Sequence, residues 1–461
     1  MRSSRTILFH RFSLLPALLP ILLTASIFVS PVVAQAVQAD AQSASLSLKE
    51  RLFVFDRVWR LVNDRYYDPA FNGADWKAVR RRYQLRIAAA HSDEAFYDQL
   101  EQMVRELHDA HTRVLDPWKK RLRDKSQTVS VGIMLSEIEG QPTVIGVDLA
   151  DVPARLGVQP GMILRTIDGQ AVAARLSELR EQIGTSSSER ATRLLIYFKL
   201  LDGQPGTSAK LTFARTDANI GQAIESGSAL SMISVISVIS VPAMRHLVPA
   251  EAEVAARTLP SGFGYLQLSR WKQPAPALIR EALEKLRNAP GLIIDLRGNG
   301  GGEVRVVAEI SSYFFAGKTS LGRFIKRSGK PVEITAGREG GQRYSGPLII
   351  LVNEASGSGS ELFSAALQDN GRAVIVGQQT CGCVLAAARE KLPGGGELNL
   401  SVFDYRSPRG RRLEGDGVIP DQVIPLKLAD LRQHRDPALA EAEKILQEQS
   451  AAKLKATRAA R

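Results

Sequence analysis

The chain has 461 residues, 44% of them hydrophobic and 23% charged, with a formal net charge of +12. That composition excludes a disordered or collagen-like chain and leaves room for two or three globular domains. Part of the positive excess sits at the two ends, so it is weak support for an acidic partner or for association with an anionic membrane surface. No Arg/aromatic interleaving or nucleic-acid motif accompanies it, so a nucleic-acid partner is not expected.

Residues 1–36 read as a secretory signal peptide. Arg2, Arg5 and Arg11 form a basic start, Leu14 to Val33 is apolar but broken by Pro16 and Pro20, and Ala34-Gln35-Ala36 suits a signal peptidase. The alternative is an uncleaved anchor, because the apolar run approaches spanning length. Either reading sends the chain out of the cytoplasm, to a bacterial periplasm or beyond.

Residues 37–125 read as a helical N-terminal region. Phe53, Val54, Val58, Trp59, Leu61 and Val62 share one helical face; Ser92-Asp93-Glu94 caps a helix that Phe96, Leu100, Met103, Val104 and Leu107 continue. It closes at Leu107-His108-Asp109-Ala110-His111-Thr112. In 126–216, Val131-Gly132-Ile133-Met134-Leu135 reads as a loop entering a strand. Pro153-Ala154-Arg155-Leu156-Gly157-Val158-Gln159-Pro160-Gly161-Met162-Ile163-Leu164 and Ile167-Asp168-Gly169 resemble the P-A-x-x-x-G-x-x-x-G-D-x-I-x-x-I-x-G pattern of PDZ domains, with Met162 in place of the common Asp. Residues 217–262 are less readable, although the Ser-Val-Ile repeat at 234–242 alternates like a strand. Gly264-Tyr265-Leu266-Gln267-Leu268 opens alternating strands and helices that run to about 428. Residues 429–461 read as a surface helix with a basic tail.

Two strand–turn–helix stretches carry the chemistry. Leu348 to Val352 is a buried-strand run, followed by Asn353 and the turn Ser356-Gly357-Ser358-Gly359-Ser360, then a helix from Glu361. Such a turn exposes a hydroxyl at a helix N-terminus, and glycines let a substrate come close. Ser/Gly turns before helices are more often plain N-caps. Gly291-Leu292-Ile293-Ile294-Asp295-Leu296-Arg297-Gly298-Asn299-Gly300-Gly301-Gly302 runs another strand into a glycine turn, whose N–H groups suit a developing oxyanion. No Gly-Lys-Ser/Thr follows, so the phosphate-loop reading is poorer.

Together, in this order, the D-L-R-x-N-x-G-G strand and the S-x-S-x-S-E turn resemble the S41 family of serine peptidases, the C-terminal-processing and tricorn-like proteases. The resemblance implies an α+β or α/β multidomain chain: the helical region, a PDZ-like β domain at 126–216 and an S41 core of ClpP/crotonase-like α/β type at 217–428. The PDZ-like domain would capture peptide C-termini or flexible segments by strand addition, through Gly132, Ile133 and Met134. A spacer that binds nothing is the alternative for that domain.

Aligned to the family motif, Ser358 is the nucleophile. A serine needs a base. In the C-terminal-processing branch that base is a lysine in a T-F-G-K segment; here Thr380-Cys381-Gly382-Cys383 puts Cys383 at the lysine position, where a thiol is no base. Lys391 lies outside the motif. The tricorn-like branch uses Ser, His and Glu. His111 matches its L-x-D-x-H-T histidine, with His108 the runner-up, and Glu414 lies in a segment, 412–421, similar to its E-x-x-G-V-x-P-D. The resemblance thus assigns Ser358, His111 and Glu414, with the oxyanion held by Gly359 N–H and one from Gly300 or Gly301.

Cys381 and Cys383, the only cysteines, either pair as a disulfide or stay as two small residues, one packed and one exposed. Two ligands fall short of a zinc site, so neither a metal nor a cofactor is expected. The resulting expectation is an exported serine endopeptidase acting on proteins or peptides. The alternative is a PDZ-bearing scaffold that has lost hydrolysis with the lysine. An α/β-hydrolase esterase is disfavoured because no G-x-S-x-G elbow occurs.

Overall fold

The computed structural model describes residues 45–216, 236–337 and 343–459; the candidate leader at 1–36 lies outside them. In chain order, three helices come first: α1 (Leu48–Arg65), α2 (Trp76–Ala88) and α3 (Asp93–Arg105). Then come β1 (Arg113–Leu115), α4 (Pro117–Asp124), β2 (Gln127–Ser130), β3 (Ile133–Ile138), β4 (Gln141–Val147), α5 (Val152–Arg155), β5 (Ile163–Ile167) and β6 (Gln170–Ala171). They are followed by α6 (Val172–Ile183), α7 (Glu189–Leu200), β7 (Ser208–Thr216), β8 (Ile236–Met244), β9 (His246–Pro249), β10 (Val254–Thr258) and β11 (Gly264–Leu268). The rest is α8 (Ala275–Lys285), β12 (Leu292–Asp295), α9 (Val304–Ser311), β13 (Thr319–Lys326), β14 (Val332–Ala336), β15 (Leu348–Val352), α10 (Gly359–Asp369), β16 (Val374–Gly377), β17 (Ala386–Lys391), β18 (Glu397–Arg406), β19 (Gln422–Val423), α11 (Leu428–Arg432) and α12 (Pro437–Ala459).

The helical start is locally encoded. Ser47 caps α1, with Glu50 Oε2 accepting in return from the Ser47 N–H, and the Ser92 hydroxyl accepts from Ala95 N–H at the start of α3. Their apolar faces pack with Trp76, Val79 and Tyr83 of α2 and with Leu398 and Leu400 of β18. Strand β1 pairs antiparallel with β18, so the segment after α3 is stitched to the second half of the chain.

A six-stranded sheet ordered β10-β11-β12-β15-β16-β19 lies at the centre, parallel except for β10. Parallel strands covered on both faces are apolar throughout, which explains the unbroken runs at 292–294 and 348–352. The pleat then sorts them. Leu292, Ile294, Leu348, Ile350 and Val352 face the core shared with α8, α9 and α10. Ile293, Ile349 and Leu351 face Ala438, Ala442 and Leu446 of α12. Each such fully buried Leu or Ile contributes about 1.5–3 kcal/mol. A second sheet is ordered β1-β18-β13-β14 with β17 on β18. A third, β3-β4-β5-β7-β8, takes in residues 236–242 of the Ser-Val-Ile repeat as part of β8, and β3 stands at its edge; residues 234 and 235 of the repeat lie outside the described residues. No helix among the described residues is long and apolar enough to cross a membrane.

Candidate active site

The turns after β12 and β15 leave the carboxyl ends of adjacent parallel strands, where open α/β sheets place their sites. Two small serines tie them together. Ser356 Oγ donates to Leu296 O at 2.9 Å, and Ser360 Oγ donates to Asn299 O at 2.8 Å while accepting the Trp271 indole N–H at 2.9 Å. Both serines are fully buried, whereas Ser358 between them is partly exposed. Ser358 has φ +50°, a left-handed conformation that costs a non-glycine residue energy and persists where the surroundings impose it. It sits at the N-terminus of α10, where helix amides point outward.

Gly301 shows how close the two turns come. A Cβ there would lie 2.6 Å from Ser358 Cβ and 2.8 Å from Gly359 N, so only glycine fits. Gly301 N–H, however, donates to Asn299 Oδ1 at 3.0 Å and is engaged. Of the two amides expected from that turn, Gly301 N–H is therefore the one already engaged.

Beneath Ser358 lies Glu361, fully buried. Its oxygens accept from Ser358 N–H (2.9 Å), Thr380 Oγ1 (2.6 Å), Gly382 N–H (2.7 Å) and Cys383 N–H (3.1 Å). Burial pushes its carboxyl up, against the pull of those four donors. The glutamate was legible in the sequence as the residue three places after Ser358, but the sequence reading gave it no role. It fastens the 380–383 loop under the nucleophile, and Ser358 N–H also donates to Cys383 O at 3.0 Å.

Cys381 and Cys383 are both buried and joined by a disulfide, so the expectation of one packed and one exposed residue does not hold. A cysteine at position 383 in this form offers no thiol. Lys391 is exposed, near the end of β17.

His111 arrives through an Asx turn. Asp109, buried, accepts at Oδ1 from His111 N–H (2.8 Å), Thr112 N–H (2.6 Å) and Ser401 Oγ (2.9 Å), and at Oδ2 from the Tyr66 hydroxyl (2.9 Å). Its neighbour Ala110 packs against the disulfide. Burial lowers the imidazole pKa to about 4, so the ring is neutral at ordinary pH. His108 is exposed and its Nδ1 meets Thr185 Oγ1 at 2.8 Å, a surface contact. Glu414 is buried, and its Oε2 accepts from Val384 N–H (2.8 Å) and Leu385 N–H (3.2 Å). Burial pushes it up to about 8, despite the nearby Ser187 hydroxyl; the charges of Asp109 and Glu361 push the same way.

The loop 380–385 is therefore the hub where Ser358, Ala110 and Glu414 each make contact. The three expected functional groups do not bond to one another. His111 Nδ1 and Glu414 Oε1 are both buried without a hydrogen-bond partner, and no hydrogen bond among the described residues links His111 to Ser358. Helix α7 also grips this hub, which sequence reading did not anticipate. Ser188 Oγ donates to Cys381 O, and the Arg190 guanidinium donates to Thr380 O (2.6 Å), Gly415 O (3.1 Å) and Asp416 O (2.8 Å). Arg193 pairs with Glu354 beside the nucleophile turn at 2.9 Å.

Residues 262–424, the span holding both turns, match peptidase family S41, and residues 47–105 match the tricorn protease C1 domain. The chain carries a peptidase family S41 core. The S41 chain is 26% identical over 402 residues to a carboxyl-terminal-processing protease of Synechocystis sp., covering 86% of each. It is 28% identical over 395 residues to the chloroplastic carboxyl-terminal-processing peptidase 2 of Arabidopsis thaliana, covering 83% of this chain and 70% of that one. In fold it is similar to the photosystem II D1 C-terminal processing protease, with a TM-score of 0.55 and 22% identity over 82% of this chain and 93% of that one. It is also similar to mature CPAF complexed with lactacystin, with a TM-score of 0.65 and 14% identity over 88% and 99%.

Proposed function

We propose that this S41 chain is an exported serine endopeptidase that cleaves protein or peptide substrates through an acyl-enzyme on Ser358. The observation that carries the reading is Ser358 itself: a partly exposed hydroxyl held at φ +50° on a helix N-terminus and packed against the Gly301 turn, with the Gly359 and Gly300 amides as the proposed oxyanion donors. The substrate carbonyl carbon is attacked by Ser358 Oγ as the hydroxyl proton passes to neutral His111. The carbonyl oxygen becomes an oxyanion facing the two amides. His111 then returns the proton to the leaving amine, and water repeats the sequence to release the acyl group. Glu414 stabilises the imidazolium once it is ionised. Because Nδ1 of His111 and Oε1 of Glu414 both lack partners, this mechanism includes a closing step in which substrate brings them into line. A PDZ-like unit built on β3–β8 and α7 holds the substrate by adding a strand at the free edge of β3.

The test is turnover of an unfolded protein substrate. Ser358→Ala and His111→Ala are expected to abolish it, while Lys391→Ala leaves it unchanged. Turnover that depends on Lys391 and ignores His111 would sink the assignment. A second reading, a non-catalytic binding protein of the envelope, draws on the same unpartnered His111 and Glu414 atoms and on the disulfide at the lysine position. It predicts peptide binding with no turnover at any pH.

A further inference from the structure

Where a PDZ-type groove takes a chain terminus, loop N–H groups at the start of the edge strand receive the carboxylate. In this chain that corner is Gly132, and it is already occupied twice. Gly132 N–H donates to Ser130 Oγ at 2.9 Å. The Asp151 carboxylate lies directly against Gly132: a Cβ on the glycine would sit 2.1 Å from Asp151 Oδ2. That oxygen is buried with no hydrogen-bond partner, and the Asp151 side chain caps nothing at the start of α5. His246 of β9 lies beside it, with Nε2 3.4 Å from Asp151 Oδ1. Asp148 adds a second carboxylate to the same loop, with Oδ1 engaged by Ala150 N–H at 2.9 Å. Beyond the corner the edge is open. Among the described residues β3 pairs only with β4, and Met134 is 62% exposed.

We propose that Asp151 makes the β3 groove select chain-internal, extended segments of substrate over free C-termini. A terminal carboxylate at this corner would meet a carboxylate in place of a free amide. A chain that continues past the corner brings no charge there and keeps the strand hydrogen bonds along β3. This rests on the strand-capture reading above and narrows it to internal, loop-like substrate segments, so that the enzyme cuts within flexible regions.

The experiment uses full-length Ser358→Ala, which binds without cutting, and one fluorescein-labelled apolar decapeptide in three forms: free carboxylate, C-terminal carboxamide, and carboxamide with alternate backbone amides N-methylated. The carboxamide is expected to bind about tenfold more tightly than the carboxylate, since like charges a few ångströms apart repel and salt screens this in part. Adding Asp151→Asn, with an unchanged melting curve, is expected to erase the difference by strengthening carboxylate binding alone. Carboxylate binding equal to or tighter than carboxamide in the Asp151 protein overturns the selection. Equal binding of the N-methylated form, or no binding of any form, overturns strand capture itself and the proposal with it.

Discussion

The two sides of the site are built to different standards. On the nucleophile side, between residues 353 and 361, the polar groups are matched: Ser356 to Leu296, Ser360 to Asn299 and Trp271, Glu361 to four donors. On the base side, His111 Nδ1 and Glu414 Oε1 are buried and unmatched. A buried polar atom without a partner costs about 1–3 kcal/mol. On the proposed mechanism these are the atoms that a closing step would bring together. The comparison then separates a matched half from one that the proposal has substrate complete.

Breaking the preorganised half gives the largest effect. Ser358→Ala is expected to lower kcat by about 10⁴-fold or more, with stability unchanged, because the lost atom reacts and does not pack. Peptide turnover and urea melts check both parts. Phe363→Ala comes next. Phe363 is fully buried, its ring centroid 4.9 Å from Trp271 and 5.9 Å from Phe314, so a loss of about 3–5 kcal/mol is expected in denaturant unfolding.

The base half is broken by pH. Glu414 has a folded pKa raised to about 8, so it is neutral in the folded chain at neutral pH. Its contribution to stability is whole below the ordinary carboxyl range and is lost as pH rises through about 8. Catalysis runs the opposite way, since the ionised form supports the imidazolium. The kcat/KM profile of wild type is expected to climb through a limb near pH 8, and Glu414→Gln to remove that limb and flatten stability over the same range. Smaller again is Ser360→Ala, which leaves the Trp271 indole N–H unpaired in the core. A loss of about 1–3 kcal/mol is expected in unfolding experiments.

The strands of the central sheet were legible because both of their faces are covered, which writes them as apolar runs at 292–294 and 348–352. The Ser358 turn was legible because a serine flanked by glycines between strand and helix is a local signal. What stayed hidden depends on pairs distant in sequence. Nothing local in Arg190 announces that it meets Thr380, Gly415 and Asp416. Nothing in the glycine turn says that Gly301 N–H is spent on Asn299. The bracketing cysteines left two readings open, and only packing against Ala110 and Ala191 shows both buried. His111 was proposed through its motif, but its lack of a hydrogen bond to Ser358 is a tertiary property that no spacing encodes.

The most direct measurement is the rate of labelling by a fluorophosphonate probe, followed across pH for residues 37–461 and its Ser358→Ala, His111→Ala and Cys383→Ala variants. The account predicts labelling that is lost in the first two, kept in the third, and rises with pH in the wild type. No labelling of the wild type at any pH, or equal labelling after His111→Ala, would contradict it.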